Sequence, residues 1–137
     1  MRALKKTLAT AAATLLFVAL GAVAAAPASA ASYNGACGSG YAVVNSAQVA
    51  HGLGTVFLTY NSSNGYNCVV TVRNDPGFPL HMHAGLRRAG DESTHKSDSG
   101  QYNQYAGPVY VYGRGSCMDW RGVINSQAIQ RNATNCG

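Results

Sequence analysis

Between residues 55 and 74 the chain reads TVFLTYNSSNGYNCVVTVRN, and this segment constrains the architecture more tightly than any other. Residues 55–61 and 67–74 are rich in β-branched and aromatic side chains, which pack well on a pleated surface. Between them Ser62-Ser63-Asn64-Gly65 ends in an Asn-Gly pair, which supplies the positive φ angles of a tight hairpin turn. Side chains alternate along a strand. Val56, Leu58 and Tyr60 therefore share one face and Thr55, Phe57 and Thr59 the other, while Cys68, Val70 and Val72 oppose Val69, Thr71 and Arg73. Both faces are partly apolar, which predicts a central place in a sheet.

Outward from this hairpin the chain continues as strands and turns. Leu80, Met82, Ala84 and Leu86 alternate with His81, His83, Gly85 and Arg87, so one face is buried and the other solvated. Further strands are expected at residues 41–45, 109–114 and 118–124, with Gly113-Arg114-Gly115 turning between the last two and Pro108 opening a strand where it costs no ladder bond. Residues 91–100 are polar and charged, as an exposed loop should be, and residues 125–133 are the one stretch that a short helix could occupy. The expectation is a single all-β antiparallel domain of about six strands, a β-sandwich or barrel-like fold, crosslinked by two disulfides.

The composition agrees. Sixteen glycines, eight tyrosines and only 11% charged residues in 137 suit a turn-rich β-protein and exclude a multidomain enzyme. Residues 1–30 have the layout of a signal peptide: Arg2, Lys5 and Lys6, then an apolar alanine-rich run, then Pro27-Ala28-Ser29-Ala30. Cleavage is expected after Ala30, which leaves residues 31–137 as the mature secreted domain. No second apolar run approaches the roughly 20 residues of a membrane span, so no membrane association is expected once the leader is gone. The alanine-heavy leader suggests a bacterial exporter, so the sequons at Asn61 and Asn132 are expected to be unglycosylated. Without the leader, seven basic side chains face Asp75, Asp91, Glu92, Asp98 and Asp119, a net +2 with Arg87-Arg88 the only adjacent basic pair. That is too sparse for nucleic-acid binding.

Cys37, Cys68, Cys117 and Cys136 all lie in the mature part and none forms a Cys-x-x-Cys pair, so two disulfides are expected outside the cytoplasm. Three pairings are possible. The sequential one, Cys37 with Cys68 and Cys117 with Cys136, avoids crossing the two halves, but spacing alone leaves the choice open. Each bridge would stabilise the domain by about 3 kcal/mol, a large share of a total near 5 to 15 kcal/mol.

Four blocks carry a resemblance to a known family: residues 31–41 (ASYNGACGSGY), 54–61 (GTVFLTYN), 67–72 (NCVVTV) and 105–110 (YAGPVY). On these the chain resembles spore-associated protein A of filamentous spore-forming actinobacteria, over most of its mature length. The resemblance implies a small secreted protein found with aerial hyphae and spores, and it implies no catalytic residue.

The residues themselves offer two sites. His81 and His83 share a strand face at a spacing that lets two imidazoles hold a first-row metal, with His95 or Asp91 as further ligands; solvated histidines on a wet strand face are the plainer reading. Tyr110, Tyr112 and Arg114 lie together in sequence with Tyr102, Tyr105 and Trp120 nearby, and such rings can stack on sugars or seal an interface. Tyrosines also fill strands for their β-propensity alone. There is no Gly-x-Ser-x-Gly elbow, and Gly38-Ser39-Gly40 reads as a turn beside Cys37. The five acids suggest no paired carboxylates, and no Gly-rich phosphate loop is present. The expected function is a non-catalytic, cofactor-free structural or interaction role at the spore or aerial-hypha surface, with spore-coat or cell-wall polymer, or surface proteins, as partners. One alternative is a carbohydrate or cell-wall binding module using the tyrosine face. Another is a small extracellular enzyme, or an inhibitor presenting residues 91–100.

Overall fold

The computed structural model describes Gly21 and residues 31–137. Apart from Gly21, the expected leader lies outside the described residues. Eight strands run in chain order: β1 Ala42–Val49, β2 Gly54–Asn61, β3 Tyr66–Arg73, β4 Leu80–Arg88, β5 Lys96–Tyr102, β6 Tyr105–Tyr112, β7 Met118–Ile124 and β8 Gln127–Thr134. They form two four-stranded antiparallel sheets, β1-β2-β3-β6 and β5-β4-β7-β8, stacked as a sandwich. The central hairpin is β2–β3, with Asn61 opposite Tyr66 and Gly54 opposite Arg73.

The strand count is eight rather than six, and both extra strands are sheet edges. The expected loop over residues 91–100 is a short 3-10 turn, Glu92–Thr94, followed by β5, which pairs with β4 from Leu80 opposite Tyr102 to Leu86 opposite Lys96. The expected tail helix is instead β8, turned back on β7 through Asn125, whose φ is +57°. Edge strands need no buried apolar face and are kept polar or charged against edge-to-edge pairing, so Lys96-Ser97-Asp98-Ser99-Gly100 carries no period-two hydrophobic signal. β1 runs on to Val49, past the expected end at Asn45, with a register shift between Val43 and Asn45 that interrupts the alternation. Pro108 does not open a strand; it lies within edge strand β6, where the register with β3 shifts between Val69 and Thr71. Gly107 beside it has φ +96°, and a Cβ there would stand 2.7 Å from the Val69 carbonyl oxygen, so the irregularity requires glycine.

The main core fills the space between the sheets with Val56, Leu58, Val69, Met82, Ala84, Leu86, Met118, Trp120 and Ile124, joined by Ala106, Val109 and Val111 of β6. The Thr71 hydroxyl of β3 donates to the His83 carbonyl of β4 at 2.8 Å, a hydrogen bond from sheet to sheet. The outward face of the hairpin is covered too. Phe57, Val70 and Val72 form a second cluster under Ala31, Tyr33 and Ala36, which explains why both faces of β2 and β3 are apolar. Disulfides join Cys37 to Cys68 and Cys117 to Cys136, the first tying that N-terminal cover to β3 and the second tying the C-terminal tail to the start of β7.

Candidate functional site

The end of the first sheet at the β2–β3 turn gathers most of its exposed aromatic area. The turn is built by its own polar residues. Asn61 Oδ1 accepts from the Ser63 amide at 2.9 Å, Asn64 Oδ1 accepts from the Tyr66 amide at 2.9 Å, and Gly65 takes φ +76°. The chain leaving β6 is fastened there. The Gly113 amide donates to the Gly65 carbonyl at 2.9 Å, and the Arg114 guanidinium donates to the Ser62 carbonyl at 2.9 Å. A Cβ on Gly65 would lie 2.7 Å from the Tyr112 ring and 2.9 Å from Arg114 Nε, so the bare glycine lets both side chains rest on the turn.

On this platform Tyr66 and Tyr112 are directly opposed across β3 and β6, their rings edge to face with centroids 5.6 Å apart. They stay 38% and 47% exposed. Tyr66, Tyr112 and Val111 line a shallow groove with Arg88, Thr94 and Lys96, where the first sheet meets the second. Arg88 is ion-paired with Asp91 at 2.9 Å, whereas Lys96 is exposed and makes no ion pair among the described residues. An aromatic pair beside unneutralised positive charge can stack on a sugar ring and attract an anionic group at once.

The sequence-derived tyrosine group divides. Tyr112 and Arg114 belong to this platform. Tyr110 shares their face but is half-buried: its hydroxyl donates to the Cys37 carbonyl at 2.9 Å, its ring meets Tyr41 at 5.5 Å, and burial is the main cause that pushes its phenol pKa up. Trp120 is not on this surface. It faces inward from β7, 1% exposed, with its indole N–H donating to the Thr134 hydroxyl at 2.8 Å, because the alternation of β7 puts Met118, Trp120 and Ile124 on the core side. Tyr102 and Tyr105 sit by the other end of β6, and Tyr102 donates to Asp98. Tyr66 and Lys96, which sequence reasoning passed over, come to the site through the long-range pairing of β3 with β6 and the packing of β5 beside it. Only Tyr66 had a local signal, as the first residue after Asn64-Gly65.

His81 and His83 share the outward face of β4, but the imidazole that approaches His83 is His95: the Nε2 atoms of His83 and His95 lie 2.7 and 3.5 Å from the point where a Cβ on Gly85 would sit. Asp91 is engaged by Arg88 and Ser93 and does not reach them. Among the described residues no group of three or more His, Cys, Asp or Glu side chains is placed to hold a metal ion. The pKa of His83 is lowered, first by burial and then by Arg121, His95 and His81, with Asp98 opposing.

Fold and surface together define a disulfide-crosslinked antiparallel β-sandwich with an exposed aromatic and cationic platform at one end. Among characterised sequences the chain is similar to spore-associated protein A of Streptomyces coelicolor, at 49% identity over 123 residues that cover 90% of this chain and 79% of that protein. The chain belongs to the spore-associated protein A family. No protein-family model matches it, and no solved structure matches it significantly. Among the described residues no helix is long and apolar enough to cross a membrane.

Proposed function

We propose that this protein is an exported, non-catalytic component of the spore or aerial-hypha surface, which adheres to cell-wall or spore-coat polymer through Tyr66 and Tyr112 flanked by Lys96 and Arg114. The observation that carries this reading is the exposed edge-to-face Tyr66–Tyr112 pair, held on a hydrogen-bonded turn beside Lys96, which makes no ion pair among the described residues. Rigid aromatics lose little conformational entropy on contact, which suits them to a polymer presenting repeated sugar faces. Export is supported by the leader-like pattern of residues 1–30 and by two disulfides, which persist in oxidising surroundings. The name of the Streptomyces coelicolor relative supports the association with spores.

Adsorption of the purified protein to isolated spore walls and to peptidoglycan tests the reading. The wild type should be retained and released by salt, since charge contributes to the contact. Tyr66→Ala with Tyr112→Ala should weaken retention by about tenfold or more, as expected when two central aromatic anchors are removed. Equal retention of the double variant would contradict the proposal.

A further inference from the structure

On the outer face of the second sheet lies a depression of about 150 Å³ with Gly85 as its floor, lined by none of the residues that line the tyrosine groove. Strand register builds it. Gly85 of β4 stands directly across from Arg121 of β7, and Arg121 across from Gln130 of β8, so a gap, a guanidinium and an amide form a row across the sheet. Along β4 the gap is flanked by His83 and Arg87, and His95 reaches in from beyond the Glu92–Thr94 turn.

The charges in this depression are unequally committed. Arg87 is consumed by two carboxylates, its Nε donating to Asp119 Oδ2 at 3.0 Å and its Nη1 pairing with Glu92. Arg121 makes no side-chain hydrogen bond or ion pair among the described residues. Both imidazoles turn Nε2 towards Gly85. The opposite nitrogen of His83 lies 3.3 Å from the Ser99 hydroxyl, and that of His95 lies 3.9 Å from Glu92 Oε1. A Ser99 hydroxyl that donates to His83 Nδ1 leaves the ring proton on Nε2, pointing into the depression.

We propose that Arg121, His83 and His95 bind a phosphate group over Gly85. An oxyanion with several acceptors matches a planar guanidinium fork and two N–H-bearing imidazoles converging on one small space. Electrostatics separates this reading from a metal site. Of the charged or titratable groups acting on His83, Arg121 of β7, His95 beyond the turn and His81 of β4 all disfavour a further positive charge, and only Asp98 of β5 favours it. Glu92 and Asp119 also line the depression, but both are paired with Arg87, so the uncommitted Arg121 sets the local charge and favours an anion over a divalent cation. The depression is open to solvent, so the phosphate can be a free ion or part of a polymer.

Titration of the mature protein with inorganic phosphate, followed by NMR of the imidazole and backbone signals, tests the assignment. The signals of Gly85, His83, His95 and Arg121 should shift together at pH 7.5, where inorganic phosphate is mainly the dianion. Arg121→Gln, at an exposed position, should weaken binding by about tenfold with the fold intact. Tyr66→Ala with Tyr112→Ala should leave phosphate binding unchanged, which keeps this test independent of the tyrosine platform. Displacement of inorganic phosphate by a poly(glycerol phosphate) chain would support a polymeric source, and its absence the free ion. The proposal is overturned by any of three results: no shifts at these residues, undiminished binding in Arg121→Gln, or a response to zinc but not to phosphate.

Discussion

Cys37 is bonded to Cys68, 31 residues further along, and the bond pins the segment carrying Tyr33 and Ala36 onto the outward face of the central hairpin. Tyr33 meets Phe57 with ring centroids 5.8 Å apart, and its hydroxyl accepts from the Cys37 amide at 3.1 Å. The middle of the hairpin is therefore covered on both sides, by the second sheet within and by this segment outside. Replacing both cysteines by serine should cost about 2 to 4 kcal/mol and lower Tm by more than about 10 °C in a thermal melt. A Tm within a degree or two of wild type would show that the cover holds without its bond.

The two sheets approach closely at Gly122. A Cβ there would lie 2.2 Å from Val56 Cγ2 and 2.6 Å from Thr71 Oγ1. Gly122→Ala should therefore destabilise by about 1 to 3 kcal/mol in urea unfolding, and Val56→Ala in the same chain should recover part of that loss. Additive losses in the double variant would show that these two residues are not in contact.

How much of this was legible in the sequence depended on burial. The β2–β3 hairpin could be read because both faces are buried and Asn64-Gly65 marks the turn, and β4 because one face is buried and the other is not. β5 and β8 escaped because an edge strand of Lys, Ser, Asp, Gln and Asn shows no contrast between its faces. The site was half legible for a related reason. Tyr112 and Arg114 are near neighbours in sequence, but Tyr66 and Lys96 join them only through strand pairing and packing across dozens of residues, and nothing local sets Trp120 apart from a surface aromatic.

Trp120 is the only tryptophan, so its fluorescence reports on the core alone. Its emission should be blue-shifted and poorly quenched by acrylamide, and it should not move when peptidoglycan, which carries no phosphate, binds. A shift induced by peptidoglycan would place its binding against the second sheet instead of the Tyr66–Tyr112 platform.

His83 gives stability a dependence on pH. Burial and neighbouring positive groups hold its folded-state pKa below the ordinary value of 6.5, so the unfolded chain takes up a proton more readily. The contribution is fully present above that ordinary value and is lost as pH falls through the lowered one. In wild type, ΔG of unfolding should decline on acidification below about pH 6.5, and His83→Gln should flatten that part of the profile. A profile unchanged by the substitution would contradict this electrostatic account.

Peptide mapping of protein washed from intact spores by salt, digested without reduction, bears on export, crosslinking and location together. The predicted result is a mature N-terminus at Ala31, with linked peptides joining Cys37 to Cys68 and Cys117 to Cys136. Recovery only from broken spores, with the leader retained and four alkylatable thiols, would contradict it.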